Sequence, residues 1–175
     1  KEPAHPSGRS GFFAGRQKPA VTGSLADRRT YGFGKMLAGN RLFEEIDRTL
    51  AVLATVDRPN FGLIYEPANL ELCGQAYGPE TIRRFAPHIF NVYLQNQILT
   101  ADGPDALDTW CRGHVTFRQI PIWDAGGIDF APLIDTLREI GYRGHVTIHQ
   151  ASAELGTAAA VKESARYLKG LGVGD

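Results

Sequence analysis

Three short segments alternate apolar and polar residues and carry groups able to move protons or hold oxygen-rich ligands. In Asn60 to Glu66, Phe61, Leu63 and Tyr65 fall on one side of a strand, and Gly62, Ile64 and Glu66 on the other. A carboxylate therefore stands where the strand ends. Pro67 stops the ladder, and Asn69 follows three residues after Glu66. In Ile89 to Asn96, Phe90, Val92 and Leu94 form an apolar face opposite Asn91, Tyr93 and Gln95. In Gly144 to Gln150, Val146 and Ile148 oppose His145, Thr147 and His149. A carboxylate and an imidazole at strand ends suit an active site built on the rim of a parallel sheet. A Glu66 that only caps a strand in water is the competing reading. His149 is also a candidate metal-free general base, because imidazole exchanges protons near neutral pH.

The elements that would position these groups are legible from period and punctuation. Leu42, Ile46, Leu50 and Leu53 predict an amphipathic helix over 41–56 with Asn40 as its N-cap. Gly78-Pro79-Glu80 opens a short helix carrying Ile82, Phe85 and Ala86 inward, and Pro87 closes it. Asp129 caps a helix with the stripe Phe130, Leu133, Ile134, Leu137 and Ile140, ended by Gly141. Thr157 to about Leu171 is the closing helix, with Val161, Ala165, Leu168 and Leu171 inward.

Between the second strand and the Asp129 helix lies a long connection, Gln97 to Gly127, with a β-prone piece over Val115 to Trp123. It contains Arg118, a candidate for binding phosphate or carboxylate or else a solvated charge. Trp110 and Trp123 could stack on a sugar ring, with a small core of the loop itself as the alternative.

The order helix, strand, helix, strand, loop, helix, strand, helix implies parallel strands. Each strand keeps one polar face, whereas a doubly wound sheet buries both faces. Strands lining the mouth of a closed barrel behave in this way. The fold class expected is α/β, a partial (β/α)8 TIM barrel.

The 175 residues are 43% hydrophobic and 22% charged with a net charge of +0, values suited to a globular chain with no bias toward nucleic acid or a membrane surface. Residues 1–39 hold seven Lys/Arg against two Asp/Glu, leaving the rest at −5. That basic segment reads as mostly irregular, with one weak strand over Arg29 to Met36, and 40–175 as the barrel portion. Cys73 and Cys111 form no CxxC spacing and no disulfide framework, so a reducing, cytoplasmic setting is expected. No apolar run approaches the roughly 20 residues of a membrane span, and no signal peptide is visible.

The runs NFGLIYEPANL, HIFNVYLQN and WDAGGIDFAPLIDTLREIGYRGHVTIH resemble the C-terminal half of the xylose-isomerase-like barrel proteins, the sugar phosphate isomerase/epimerase group, over Leu42 to about Leu171. Such barrels need about 250 residues. The resemblance therefore implies a partial barrel whose first strands are missing or supplied by another chain. Its open edges imply association, with a homo-oligomer as one form.

The resemblance further implies a divalent metal (Mn, Mg or Zn) held by two Glu, an Asp or Glu and a His, and proton transfer next to a carbonyl of a small sugar or sugar phosphate. Residue by residue, Glu66 matches the metal-binding Asp or Glu, and Asn69 a substrate-contacting position. Tyr93 stands where the ligand His is expected, His149 stands where the final Glu is expected, and the other Glu finds only Tyr31, Gly32 and their neighbours. Glu66 with His149 is the metal pair that remains, and Gln95 or Asn91 can add oxygen ligands.

Three functions follow as expectations. The first is a sugar or sugar-phosphate isomerase/epimerase with Glu66 and His149 catalytic and Asn69, Asn91, Tyr93, Gln95 and Arg118 binding substrate. The alternative is a non-catalytic, sugar-binding or relic barrel fragment with a degraded metal site. A nucleic-acid enzyme of the same barrel type is disfavoured, because it calls for many His and acidic ligands and a basic face.

Overall fold

The computed structural model describes residues 32–35, 41–150 and 155–174. Four parallel strands form its main sheet: β1 (Gly32–Lys35), β2 (Phe61–Tyr65), β3 (Ile89–Leu94) and, at the far edge, a strand near the C-terminus spanning His145–Ile148. Between β3 and that last strand lie β4 (Asn96–Leu99), β5 (Asp105–Thr109) and β6 (Gly113–Ile120), an antiparallel sheet with β6 in the centre, so the edge strand is β7. The helices are α1 (Ile46–Val56), α2 (Pro67–Leu72), α3 (Pro79–Phe85), α4 (Ala131–Glu139) and α5 (Thr157–Gly170). Order along the main sheet follows the chain, β1-β2-β3-β7, without the reversal of a doubly wound fold. This is the arc of a barrel, open among the described residues.

Leu63 and Tyr65 of β2, with Val92 and Leu94 of β3, are buried together with Leu53 of α1, Ile82 and Phe85 of α3, and Leu133, Ile134 and Leu137 of α4. The 3.6-residue stripes and the period-2 faces thus meet as expected. The weak strand expected over Arg29 to Met36 is present as β1; the rest of residues 1–39, and Asn40 with them, lies outside the described residues.

Several expectations are corrected. The 41–56 helix begins only at Ile46, and Leu42 is 52% exposed. Glu44, a charged residue within that expected helix, is 2% exposed because its carboxylate is bonded to a distant turn, and residues 41–45 lie outside the helix. In β3 the register with β2 shifts by one, so that Phe90 is the extra residue and its ring lies over Gly62 instead of beside Val92 and Leu94. Only Gly fits there: a Cβ would stand 2.4 Å from the ring. The long connection is a second sheet, whose small core is Val115, Phe117 and Leu72. Trp110 is 62% exposed and Trp123 packs on the main core, so neither forms a core of the loop. In α5 the buried residues are Ala160, Ser164 and Leu168, while Val161 and Ala165 face outward. Small side chains let the helix approach closely; apolarity alone points to the wrong side.

Candidate functional site

β2 ends at Tyr65, and Pro67 opens α2, which leaves Glu66 as the N-cap residue between them in extended conformation. Its side chain is 1% exposed, which excludes the reading of a strand cap in water. Glu66 Oε2 accepts a hydrogen bond of 2.7 Å from Asn69 Nδ2, one helical turn on. Oε1 lies 2.8 Å from His149 Nδ1.

His149 follows β7, and its backbone N–H donates to Leu94 O at 2.9 Å, continuing the ladder with β3 beyond Ile148. The imidazole is 41% exposed and lies 4.7 Å from the Tyr93 ring at 35°. β3 stands between β2 and β7, so these partners start from backbones roughly 9–10 Å apart. Side chains from strands so far apart meet when the sheet curls toward them, and the concave polar face is that of a barrel lumen.

The arrangement has a definite chemistry. A buried carboxylate facing Nδ1 favours the tautomer with a proton there, leaving the Nε2 lone pair for a proton acceptor, and it stabilises the imidazolium that forms. Asn69 satisfies the other carboxylate oxygen and fixes its plane.

The remaining expected site residues are placed differently. Asn91 lies further along the face: its Oδ1 accepts from Val92 N at 2.8 Å and from Thr147 Oγ1 at 3.3 Å. It is a strand-to-strand tie. The Gln95 side chain is half-buried beside the rim and makes no hydrogen bond among the described residues. Arg118 is exposed on the second sheet, opposite Ile98, and takes no part in the Glu66 cluster.

Sequence reasoning passed over two neighbours of the rim. Asn96 is 0% exposed, and its side chain bonds Gln97 N, Ile128 N, Pro121 O and Asp124 O. Gln150 bridges Asn96 N and Ile120 O, linking the end of β7 to the second sheet. Nothing in a single sequence marks either, since polar residues in turns are commonplace.

As metal ligands, Glu66 and His149 fall short. Among the described residues no third Asp, Glu, His or Cys joins them, and the one group of three ligating side chains lies elsewhere. The donor set does not match the four-ligand site implied by the resemblance.

Residues 31–171 match the sequence model of the xylose isomerase-like TIM barrel family. The chain belongs to that family. Among solved structures it is similar to a xylose isomerase domain protein from Planctomyces limnophilus, with 23% identity and a TM-score of 0.56 over 73% of this chain and 41% of that one. It is also similar to the probable 3-DHS dehydratase AsbF from Bacillus anthracis, with 17% identity and a TM-score of 0.61 over 79% and 49%. A third is a xylose isomerase-like TIM barrel protein from Mycobacterium smegmatis in complex with magnesium, with 17% identity and a TM-score of 0.54 over 74% and 40%. Identities this low speak to the fold, and this chain spans less than half the length of each. No curated protein sequence matches. Among the described residues, no helix of this xylose isomerase-like chain is long and apolar enough to cross a membrane.

Proposed function

We propose that this chain carries the proton-transfer half of a sugar or sugar-phosphate isomerase/epimerase site, with His149 as the base and Glu66 as the residue that positions it. The observation behind this reading is the 2.8 Å contact between the buried Glu66 carboxylate and the solvent-facing imidazole at the polar strand ends. His149 Nε2 takes the proton from a carbon between a carbonyl and a hydroxyl, and the electron pair moves onto the carbonyl oxygen to give an enediolate. Returning the proton to the neighbouring carbon, with the hydroxyl proton passing to the former carbonyl oxygen, isomerises the sugar; epimerisation requires in addition a second acid that protonates the carbon from its other face. Glu66 offsets the positive charge on the imidazolium throughout. Tyr93 supplies a flat wall beside the ring, and Gln95 a polar side chain at the rim. A small sugar or sugar-phosphate substrate and a cytoplasmic setting accompany this reading.

The test is solvent deuterium incorporation next to the carbonyl of a panel of ketoses and aldoses, followed by NMR with and without Mn²⁺ or Mg²⁺. His149→Ala is expected to lower incorporation by at least about 100-fold, the usual range for losing a general base. Glu66→Gln should lower it by about 10-fold or more, with Glu66→Asp recovering part. Incorporation that survives His149→Ala, or that never rises above buffer for any sugar, overturns the proposal. Retention of a sugar without any exchange instead favours a binding-only fragment, the reading that the chain's partial span of its relatives supports.

A further inference from the structure

Glu44, Cys73 and Cys111 arrive from three separate stretches: the segment before α1, the C-terminal cap of α2, and the turn between β5 and β6. One carboxylate oxygen and the two sulfur atoms lie within 4.8 Å of one another. Glu44 is 2% and Cys73 3% exposed, while Cys111 is open to a cleft of about 150 Å³ also lined by Arg41, Arg48 and Trp110. We propose that Glu44, Cys73 and Cys111 form a binding site for a single thiophilic divalent cation of the zinc type.

The donor types and spacing carry the argument. Two sulfurs and a carboxylate suit zinc, and three protein ligands leave a fourth, tetrahedral position for water from the cleft. Ligand atoms around zinc stand roughly 3.5–3.8 Å apart, so side-chain rotations of about 1 Å close the present triangle. Glu44 is already oriented: its Oε2 accepts from Trp110 N at 2.6 Å and Cys111 N at 3.0 Å, and the Cys111 thiol lies 3.1 Å away. Hydrogen-bonded carboxylates are the usual form of such ligands.

Charge points the same way. Three anionic ligand atoms within 4.8 Å of one another repel unless a cation stands between them. Binding releases two thiol protons to solvent and forms two metal–sulfur bonds, giving a site of net charge −1. Arg41, held over Trp110 at 4.1 Å, offsets that charge from the cleft wall.

The experiment is a zinc titration of the full, reduced chain against a chromophoric chelator between pH 6 and 8, repeated with Cd²⁺ to read the ultraviolet thiolate-to-metal band. One equivalent is expected, with affinity rising up to about 100-fold per pH unit as two protons leave. Cys111→Ser, in an exposed turn, should weaken binding at least tenfold while circular dichroism stays that of the parent, and Cys73→Ser should do the same. Glu66→Gln with His149→Ala should leave it unchanged, which separates this site from the rim. Four results overturn the proposal: no uptake by the reduced chain, undiminished uptake in folded Cys111→Ser, no cadmium–thiolate band, or a Cys73–Cys111 disulfide in a chain with no zinc affinity.

Discussion

Glu66, Glu44 and Glu71 are three carboxylates removed from water to different degrees, and what faces each one sets its behaviour. Glu66 faces an imidazole, and Glu44 faces two backbone amides and a thiol, so each buried charge has partners. Glu71 is less well served. Its pKa is raised by burial, an effect only partly offset by the Gln97 amide and then by Arg112. Gln97 Nε2 donates to Glu71 Oε2 at 3.2 Å, while Gln97 Oε1 is buried with no partner among the described residues.

A carboxyl whose folded pKa lies above its unfolded value binds its proton more tightly in the folded state. Its contribution to stability is complete below the unfolded pKa and is lost as pH rises through the folded one. The urea midpoint should therefore carry a downward component from about pH 4.5 toward neutrality. Glu71→Gln removes that component, and its new N–H donors can reach Gln97 Oε1. The variant is expected to be more stable than the parent at pH 7 and to show a flatter profile. Parallel profiles for the two proteins would contradict this account.

At the scale of elements, Asn96 holds the rim together. It opens β4, and its side chain reaches into the 121–128 segment: Oδ1 accepts from Ile128 N at 2.8 Å, and Nδ2 donates to Pro121 O and Asp124 O. Gly127 packs so closely that a Cβ there would stand 2.2 Å from Asn96 Oδ1. Asn96→Ala strands several buried polar groups at once and should cost about 2–4 kcal/mol, read as a drop of several degrees in the melting midpoint. A change under about 0.5 kcal/mol would mean that this segment is held by its apolar contacts alone. Asn96 also marks where the sequence stops being readable. The α/β alternation was legible because Ile82, Phe85, Leu133 and Leu137 keep a helical period whatever they pack against. β5 was not, because Asp105-Ala-Leu-Asp-Thr109 has weak strand propensity and pairs only because β6 is beside it. Glu66 and His149 were readable as strand-end residues on polar faces. Glu44 was not, since its partners in the β5–β6 turn lie 66 and 67 residues further along the chain.

At the largest scale, the decisive feature is an arc that stays open among the described residues. β1 pairs only with β2 and β7 only with β3, so the outer edge of each has no strand beside it among the described residues. Beyond β7, α5 turns Val161 outward at 50% exposure, and Leu155 just before the helix is 49% exposed. A strand edge without a neighbour, in a chain that also exposes large apolar side chains, is a template for pairing with another chain. The isolated chain should therefore gain apparent mass with concentration in sedimentation or light scattering. Val161→Lys puts a charge on the exposed face of α5 and should shift the equilibrium toward monomer by about tenfold or more. Because Val161 packs little in the chain itself, the same substitution should change stability by no more than about 0.5 kcal/mol. A parent chain that stays monomeric at every concentration would mean that the curl of the sheet, which brings Glu66 to His149, already turns its edges away from partners.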